Sequence, residues 1–416
     1  MPEVKNFDCV IIGGGMIGAA SALALAQLGL TIAIVEKTPP EEFSSSQPLD
    51  LRVSAISIAS ENLLTQLDAW QQIKQWRVCP YQRLSVWEQE YAYTEFNAQD
   101  IQQSHLGHIV ENRLIQLSLW QQIVKHNNIT LFCPQTLTSF TQNENNVEVE
   151  LDKITLNAKL LIAADGANSK VRSLANIGIT GWDYQQSAML IKVKTQLPQQ
   201  NITWQQFLPT GPVAMLPMPT VVISKQNNAE QNSLNQDKSE NIYQGNASLV
   251  WYHQKNEIKR LSSLSNSQLQ QKILQTFPKR LGDIFVENKA SFPLTRRHAN
   301  QYQQGRVLLL GDAAHTINPL AGQGVNLGFK DVLALQTIIA EAIGNGLCWS
   351  DINVLAGYEQ KRRTDNLLMM SAMDGFYTAF SHPSSLLKAL RNSALFISNK
   401  IPLVKERVLK HACGID

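Results

Sequence analysis

Cysteine is scarce and poorly placed for cross-linking. The five residues Cys9, Cys79, Cys133, Cys348 and Cys413 are widely scattered and form neither a CxxC pair nor a metal-ligand spacing. This excludes a disulfide framework and a dithiol redox centre, reads as free thiols in a reducing compartment, and leaves no metal site to expect. An excess of one charge is also missing. Thirty-six Lys and Arg face 34 Asp and Glu, for a net charge of +2, so no nucleic-acid partner is expected. No charged residue lies between Asp8 and Glu36, but Gly13, Gly14, Gly15 and Gly18 interrupt that run, so it is no membrane span. It has neither a basic leader nor a small-residue cleavage site, so no signal peptide is expected, and the expected location is the cytoplasm. What is present, 44% hydrophobic and 17% charged residues over 416 positions, suits a globular chain of two or three domains with a substantial core.

The opening segment reads as strand Asp8 to Ile12, helix Met16 to Leu28 with Gly29 at its C-cap, and strand Thr31 to Glu36. Helices are expected over Ser60 to Gln66 and Glu111 to His126, with a strand from Leu84 to Phe96 between them. Two short apolar strands, Leu160 to Ala164 and Val307 to Leu310, each end in an acid and a glycine: Asp165-Gly166 and Gly311-Asp312. In open α/β sheets, ligands bind at that end of a strand. From Ser187 to Phe292 the pattern turns to strands, Ala188 to Val193, Val213 to Leu216 and Ser248 to Tyr252, with one helix at Gln268 to Phe277. Ser224 to Ser248 is too polar to pack and reads as a loop insertion. After Asp331 the chain reads as helical through Met373. The tail from Phe376 mixes apolar residues with Lys388, Arg391, Lys400, Lys405, Arg407 and Lys410, opposed by only Glu406 and Asp416. Two readings of that tail stand: a basic amphipathic helix on an anionic membrane surface, or a helix packed on the body.

Three motifs carry chemistry. Gly13-x-Gly15-x-x-Gly18 follows the first strand and opens the first helix, and Glu36 ends the second strand. The first glycine permits the turn, the second lets backbone approach a pyrophosphate, the third lets helix and strand pack, and the carboxylate accepts ribose hydroxyls. Glu36 at that position disfavours a 2′-phosphate. Ala163-Ala164-Asp165-Gly166-Ala167-Asn168-Ser169 with Arg172 is the second motif, and Gly311 to Asn326 the third. A helix starting near Gly324 and Val325 would turn its positive end toward an anion. No second GxGxxG exists, so no second permanent dinucleotide-binding domain is expected. His315, an imidazole, suits a base but reads as structural, and Arg296, Arg297 and His298 read as a solvated face, with a nucleotide phosphate as the other reading.

The ordered motifs resemble the FAD-dependent aromatic hydroxylases of the para-hydroxybenzoate hydroxylase type. Arg52 to Ser57, Glu111 to Arg113 and Asn318 to Gly328 are similar to their ubiquinone-biosynthesis branch. Thr203 to Phe207, Phe292 to His298 and Met373-Asp374-x-Phe376-Tyr377 narrow this to hydroxylases of a polyprenyl methoxy-methyl-benzoquinol. The resemblance spans nearly the whole chain, with 224–248 as extra sequence.

That resemblance implies an α/β fold with a discontinuous Rossmann-like FAD-binding domain (1–77, 106–186 and 293–350), a sheet-rich substrate domain (78–105 and 187–292) and a helical C-terminal region (351–416). It implies bound FAD, transient NADH or NADPH, and O2 activated as a flavin C4a-hydroperoxide. Gly13, Gly15, Gly18, Glu36, Arg52, Arg113, Asp165, Gly166, Asp312 and Asn326 would hold the cofactor. Pro319, Gly322, Gly324 and Val325 would surround the flavin ring, while Phe207, Leu216 and Pro217 would wall the substrate. The implied partners are a polyprenyl quinol, a membrane surface at the tail on the inner face, and a biosynthetic protein assembly. Two other readings fit the same motifs: another ubiquinone-pathway or phenolic ring hydroxylase, and a non-catalytic flavin-binding scaffold.

Overall fold

The computed structural model describes residues 4–220, 244–316, 324–381, 384, 388, 391–393 and 401–415. Its first sheet is built on five parallel strands in the order Val307–Leu309, Thr155–Ala163, Val4–Ile12, Ile32–Val35 and Ile129–Phe132, with antiparallel strands at the margins. The uncharged run near the N-terminus explains the centre of this sheet. Cys9 to Ile12 and Ile32 to Val35 are buried on both faces, as strands covered by helices on either side must be. The helix Met16–Ala26 is buried without a break from Gly18 to Ala26. Gly328 of the helix Gly324–Gly344 meets it closely, since a Cβ there would come within 2.6 Å of Ile17 Cδ1.

The second sheet runs in the order His315–Thr316, Ile284–Ala299, Ile179–Thr195, Gly245–Gln254, Gly211–Met218, Ile202–Leu208, Arg83–Trp87 and Tyr93–Asn97. Side chains alternate across it. Met189, Ile191, Val193, Leu249 and Trp251 pack with Ile258, Leu261, Leu269 and Ile273 of two helices, Lys255–Ser263 and Asn266–Thr276. The opposite face presents Ala188, Ala214, Val250 and Tyr252 to Met373 of the long helix Ile352–Ser381. A three-stranded sheet, Val53–Ser57, Gly107–Glu111 and Cys79–Tyr81, completes the body.

Several expectations change. Leu84 to Phe96 is a hairpin, turned by Glu88 to Ala92, whose ends pair Trp87 with Tyr93. The helix expected from Glu111 is Asn112–Ile123, because Glu111 belongs to the strand and pairs with Val53. The helical run after Asp331 breaks between Gly344 and Ile352, where Gly346 takes φ +69°. The helix Lys255–Ser263 was not anticipated. Positions 245–248 of the polar insertion are strand, and 221–243 lie outside the described residues. The boundaries at 186/187 and 292/293 fall inside two continuous strands, Ile179–Thr195 and Ile284–Ala299. All five cysteines are free.

The tail packs. The helix Pro402–Cys413 inserts Leu409 and Cys413, one turn apart, among Ala55, Ile58, Tyr81 and Ile109. A fully buried leucine contributes about 1.5–3 kcal/mol. Arg391 forms a two-pronged pair with buried Glu88, joined by Asn392, and Lys405 pairs with Asp100 at 2.8 Å. Among the described residues no helix is long and apolar enough to cross a membrane.

Candidate active site

Strand register brings the three motifs to one line. Ile12 stands level with Val35 on one side and Ala163 on the other, and Ala163 with Leu309. The chain therefore leaves the sheet at a common height into Gly13, Glu36, Asp165 and Gly311. This is the carboxyl edge, where open parallel sheets bind ligands.

Each glycine of the first loop has a distinct task. Gly13 takes φ +102°, and a Cβ there would stand 2.4 Å from the Ala164 carbonyl oxygen. At Gly18 a Cβ would come to 1.8 Å from the Gly13 oxygen. At Gly15 nothing lies within 4 Å of that position, and Gly15 starts the helix Met16–Ala26 without any side-chain cap. The open cradle and uncapped helix start fit a phosphate group. Glu36 accepts from the Gly14 N–H at 2.6 Å and from those of Lys37 and Thr38 at 2.8 and 3.0 Å. These use three of a carboxylate's roughly four acceptor positions, leaving room for a ribose hydroxyl.

The helix Asn112–Ile123 braces this loop. Trp120 Nε1 and Gln116 Nε2 both donate to the Gly14 carbonyl, at 2.7 and 2.9 Å. Arg113 continues the same stripe at helical spacing toward the sheet edge. Its guanidinium holds Asp50 at 3.0 Å and the carbonyls of Glu41 and Glu42. Arg52 is exposed, and its guanidinium makes no hydrogen bond among the described residues, while its carbonyl accepts from the Asn112 N–H at 3.1 Å.

Asp165 divides its carboxylate. Oδ2 accepts from the N–H groups of Lys170 and Val171, while Oδ1 is buried and without a partner, an acceptor aimed into the edge. Gly166 takes φ +81°. Arg172 does not hydrogen-bond Asp165. It donates to the carbonyls of Ala313 at 2.7 Å and Ala167 at 2.9 Å, tying the second motif to the third.

The third motif rests on buried charge. Asp331, fully enclosed, accepts from the Gly311 N–H at 2.9 Å and contacts His315 Nε2 at 2.6 Å and Arg362 Nε at 2.7 Å. Burial pushes its pKa up, but His315 and Arg362 outweigh burial and hold it at about 2. His315 is thus structural. Asp312 next to it is exposed and makes no hydrogen bond to a described residue. Crowding by protein raises its pKa, opposed by positive charge at His315 and Arg52.

Gly324 and Val325 begin the helix Gly324–Gly344, and a Cβ at Gly324 would meet nothing within 4 Å. Pro319 and Gly322 lie outside the described residues. Asn326 is engaged within the protein rather than turned to the edge. Its Oδ1 accepts from Ser57 N and Ser60 Oγ, and its Nδ2 donates to the Ala55 carbonyl.

On the substrate side, Phe207 and Leu216 lie on the face turned toward the long helix and the three-stranded sheet. Phe207 stacks on Phe380 at 3.9 Å, and Leu216 packs with Val53 and Ala55. Pro217 must alternate to the opposite, helix-covered face, level with Ala247, so it does not share their wall. The basic trio is not a solvated face: Arg296 pairs with Asp374 at 2.9 Å and lies over the Trp182 ring, Arg297 donates to Asn168, and His298 is buried against Tyr302. Tyr184 also hydrogen-bonds Asp374. Sequence reading missed Gln116, Trp120, Asp331 and Arg362. The usable signal was Asp331, an acid standing on an apolar helical stripe.

The family described as FAD binding domain matches residues 6–367. The chain is 41% identical over 409 residues to the 3-demethoxyubiquinol 3-hydroxylase of Escherichia coli (strain K12), covering 98% of both. It is 32% identical to the Danio rerio protein named Ubiquinone biosynthesis monooxygenase COQ6, mitochondrial, covering 99% of this chain and 90% of that one. The p-nitrophenol 4-monooxygenase structure from Pseudomonas putida DLL-E4 shares the fold with a TM-score of 0.75 at 18% identity, over 98% of both chains. The α/β architecture with its sheet-rich second layer is thus that of the para-hydroxybenzoate hydroxylase type, and the chain belongs to the FAD-dependent ubiquinone-biosynthesis hydroxylases.

Proposed function

We propose that this chain hydroxylates the ring of a polyprenyl methoxy-methyl-benzoquinol, the reaction named for its Escherichia coli relative. The observation that carries this reading is the common height of the three motif loops, with an open cradle at Gly15 and an unpaired buried oxygen on Asp165. In this reading Gly13, Gly15 and Gly18 carry the pyrophosphate of FAD, and Glu36 its adenosine ribose. Asp165, Gly166 and Asp312 line the cofactor's middle, with Arg52 and Arg113 at the mouth. Pro319, Gly322, Gly324 and Val325 border the ring, where a helix start favours negative charge. Asn326 acts through the contacts that fix that helix.

Bound FAD, reduced by a transient nicotinamide nucleotide, supplies the means to activate O2 for insertion into an electron-rich ring. The protein's own part is to orient that ring and keep water away. Phe207 and Leu216 provide apolar wall, and Arg296, Asp374 and Tyr184 lock the long helix over the sheet. The quinol's hydroxyls activate its own ring, so no strong protein base is required. The FAD-binding part would be the discontinuous 1–77, 106–186 and 293–350, with substrate held against 78–105 and 187–292.

We place the protein on the cytoplasmic face of a membrane, which holds its polyprenyl substrate. Arg407, Val408 and His411 form the exposed side of the helix Pro402–Cys413, opposite buried Leu409 and Cys413, and can meet anionic headgroups. The deciding experiment incubates purified protein with a demethoxyubiquinol analogue, NADH or NADPH and labelled O2, followed by mass spectrometry. One labelled oxygen on the ring supports the reading. Label on a different quinol precursor only would move the substrate, and no incorporation would leave a scaffold.

A further inference from the structure

The helix Ile58–Gln66 and the strand Gly107–Glu111 bring together three side chains that the site above does not use. Glu61 stands in the helix's first turn, His105 in the chain just before the strand, and His108 within it. His105 Nε2 lies 2.8 Å from Glu61 Oε2, and His108 Nδ1 lies 3.1 Å from the same oxygen. The donor atoms all fall within 4.8 Å of one another. His108 is buried, and despite the short distance its Nδ1 forms no hydrogen bond. Hydrogen bonds need the donor aligned on the acceptor. Metal ligation instead needs the lone pairs to converge on a point between the donors.

The surroundings favour that arrangement. Ser104 Oγ lies 2.8 Å from His105 Nδ1, which fixes the ring with Nε2 toward Glu61, as outer partners of metal-bound histidines do. The Trp70 ring packs edge-on to His108 at 5.0 Å, and the two imidazoles stand 4.4 Å apart. Two imidazoles and one carboxylate suit a borderline divalent transition ion, whereas magnesium and calcium prefer all-oxygen sets.

We propose that Glu61, His105 and His108 bind one divalent transition ion of the zinc type, with a remaining position for water. The ion clips the helix to the strand. Ser60, next to Glu61, is hydrogen-bonded to Asn326 at the start of the helix Gly324–Gly344, so the clip braces the element on which that helix begins. Its role is structural and stands independently of the substrate assigned above.

The test uses full-length, FAD-loaded protein, stripped with a chelator and titrated with zinc against a chromophoric competitor. One equivalent should bind at micromolar zinc and raise the melting temperature. His105→Gln and Glu61→Gln remove direct ligands and should each weaken binding by at least the roughly 10–100-fold that loss of an outer partner of a metal ligand costs, with flavin absorbance retained. X-ray absorption at the zinc edge should show two imidazoles. No saturable binding by the wild type, undiminished binding by His105→Gln, or an edge spectrum without imidazole scattering would each overturn the proposal. Because the wild-type titration and the spectrum decide by themselves, a variant that misfolds leaves the test intact.

Discussion

The loops at Gly13–Gly18 and Gly311–Asp312 end strands of one sheet at the same height, but different physics holds them. The first is shaped sterically. Absent Cβ atoms at Gly13 and Gly18 let it close on Ala164 and on itself, and Trp120 and Gln116 fix its one central carbonyl. The later loop is shaped electrostatically. Its Gly311 N–H sits on a buried carboxylate of the helix Gly324–Gly344, whose charge is balanced by His315 of the short strand beside it and by Arg362 of the helix Ile352–Ser381. A loop built from local sterics tolerates changes of pH and salt but not of volume. A loop resting on buried charge tolerates volume changes at its tip but not the loss of a partner.

The largest effect should come from that buried charge. Asp331→Ala leaves Arg362 buried beside His315 without its carboxylate and frees the Gly311 N–H. Breaking a buried pair by removing one partner costs about 3–5 kcal/mol. Urea unfolding should show a loss of that size, and a loss under 1 kcal/mol would mean that water or Asp365 replaces the carboxylate. Next is Gly18→Ala. Its Cβ would stand 1.8 Å from the Gly13 oxygen, so helix and loop must separate, at about the 1–3 kcal/mol typical of overpacking. Here FAD retention should fall together with stability, and unaltered FAD retention would break the steric account of the first loop.

A pH series should separate the two loops further. Burial first, then positive charge at His315, Arg363 and Arg296, lowers the pKa of His298 to about 4. A buried neutral histidine binds fewer protons than the unfolded chain between about 4 and the free value near 6.5. Its contribution is therefore complete above about 6.5 and declines as pH falls toward 4, with Tyr302 hydrogen-bonded to its ring. Asp331, held at about 2, loses its contribution only at lower pH. Stability measured from pH 7.5 to 4.5 should fall, and His298→Gln should flatten that slope. An equal slope in the variant would assign the acid sensitivity elsewhere.

The contrast also explains what was legible in the sequence. Gly13, Gly15, Gly18 and Glu36 fall within 24 residues, and their spacing alone encodes strand, turn, helix and strand. The acid-glycine pairs at 165–166 and 311–312 were readable because each ends an apolar strand. Trp120, Asp331 and Arg362 were not, since their partners lie 106, 20 and 31 residues away and are chosen by packing. Arg296 and His298 misled for a related reason: consecutive basic residues suggest solvent, but alternation along the strand sets Arg296 and His298 together on one face, apart from Arg297. Asp374 and Tyr302 then give each a partner. Pro217 failed on the same alternation.

The smallest effect on folding should be at Asp312, and for that reason it is the sharpest probe of function. Its carboxylate is exposed and makes no hydrogen bond among the described residues, so Asp312→Asn removes no support from the fold. Crowding already raises its pKa, which means the charge carries a cost in the absence of a partner. Urea unfolding of the cofactor-free protein should therefore be unchanged or slightly strengthened, within about 0.5 kcal/mol. A hydrogen bond from cofactor to a charged acceptor contributes about 1.5–3 kcal/mol, so FAD affinity should drop by roughly 10–150-fold. Titration with FAD, followed by flavin fluorescence, reads this directly. Undiminished affinity would show that the late loop, for all its buried support, only shapes the sheet edge and leaves cofactor binding to the first.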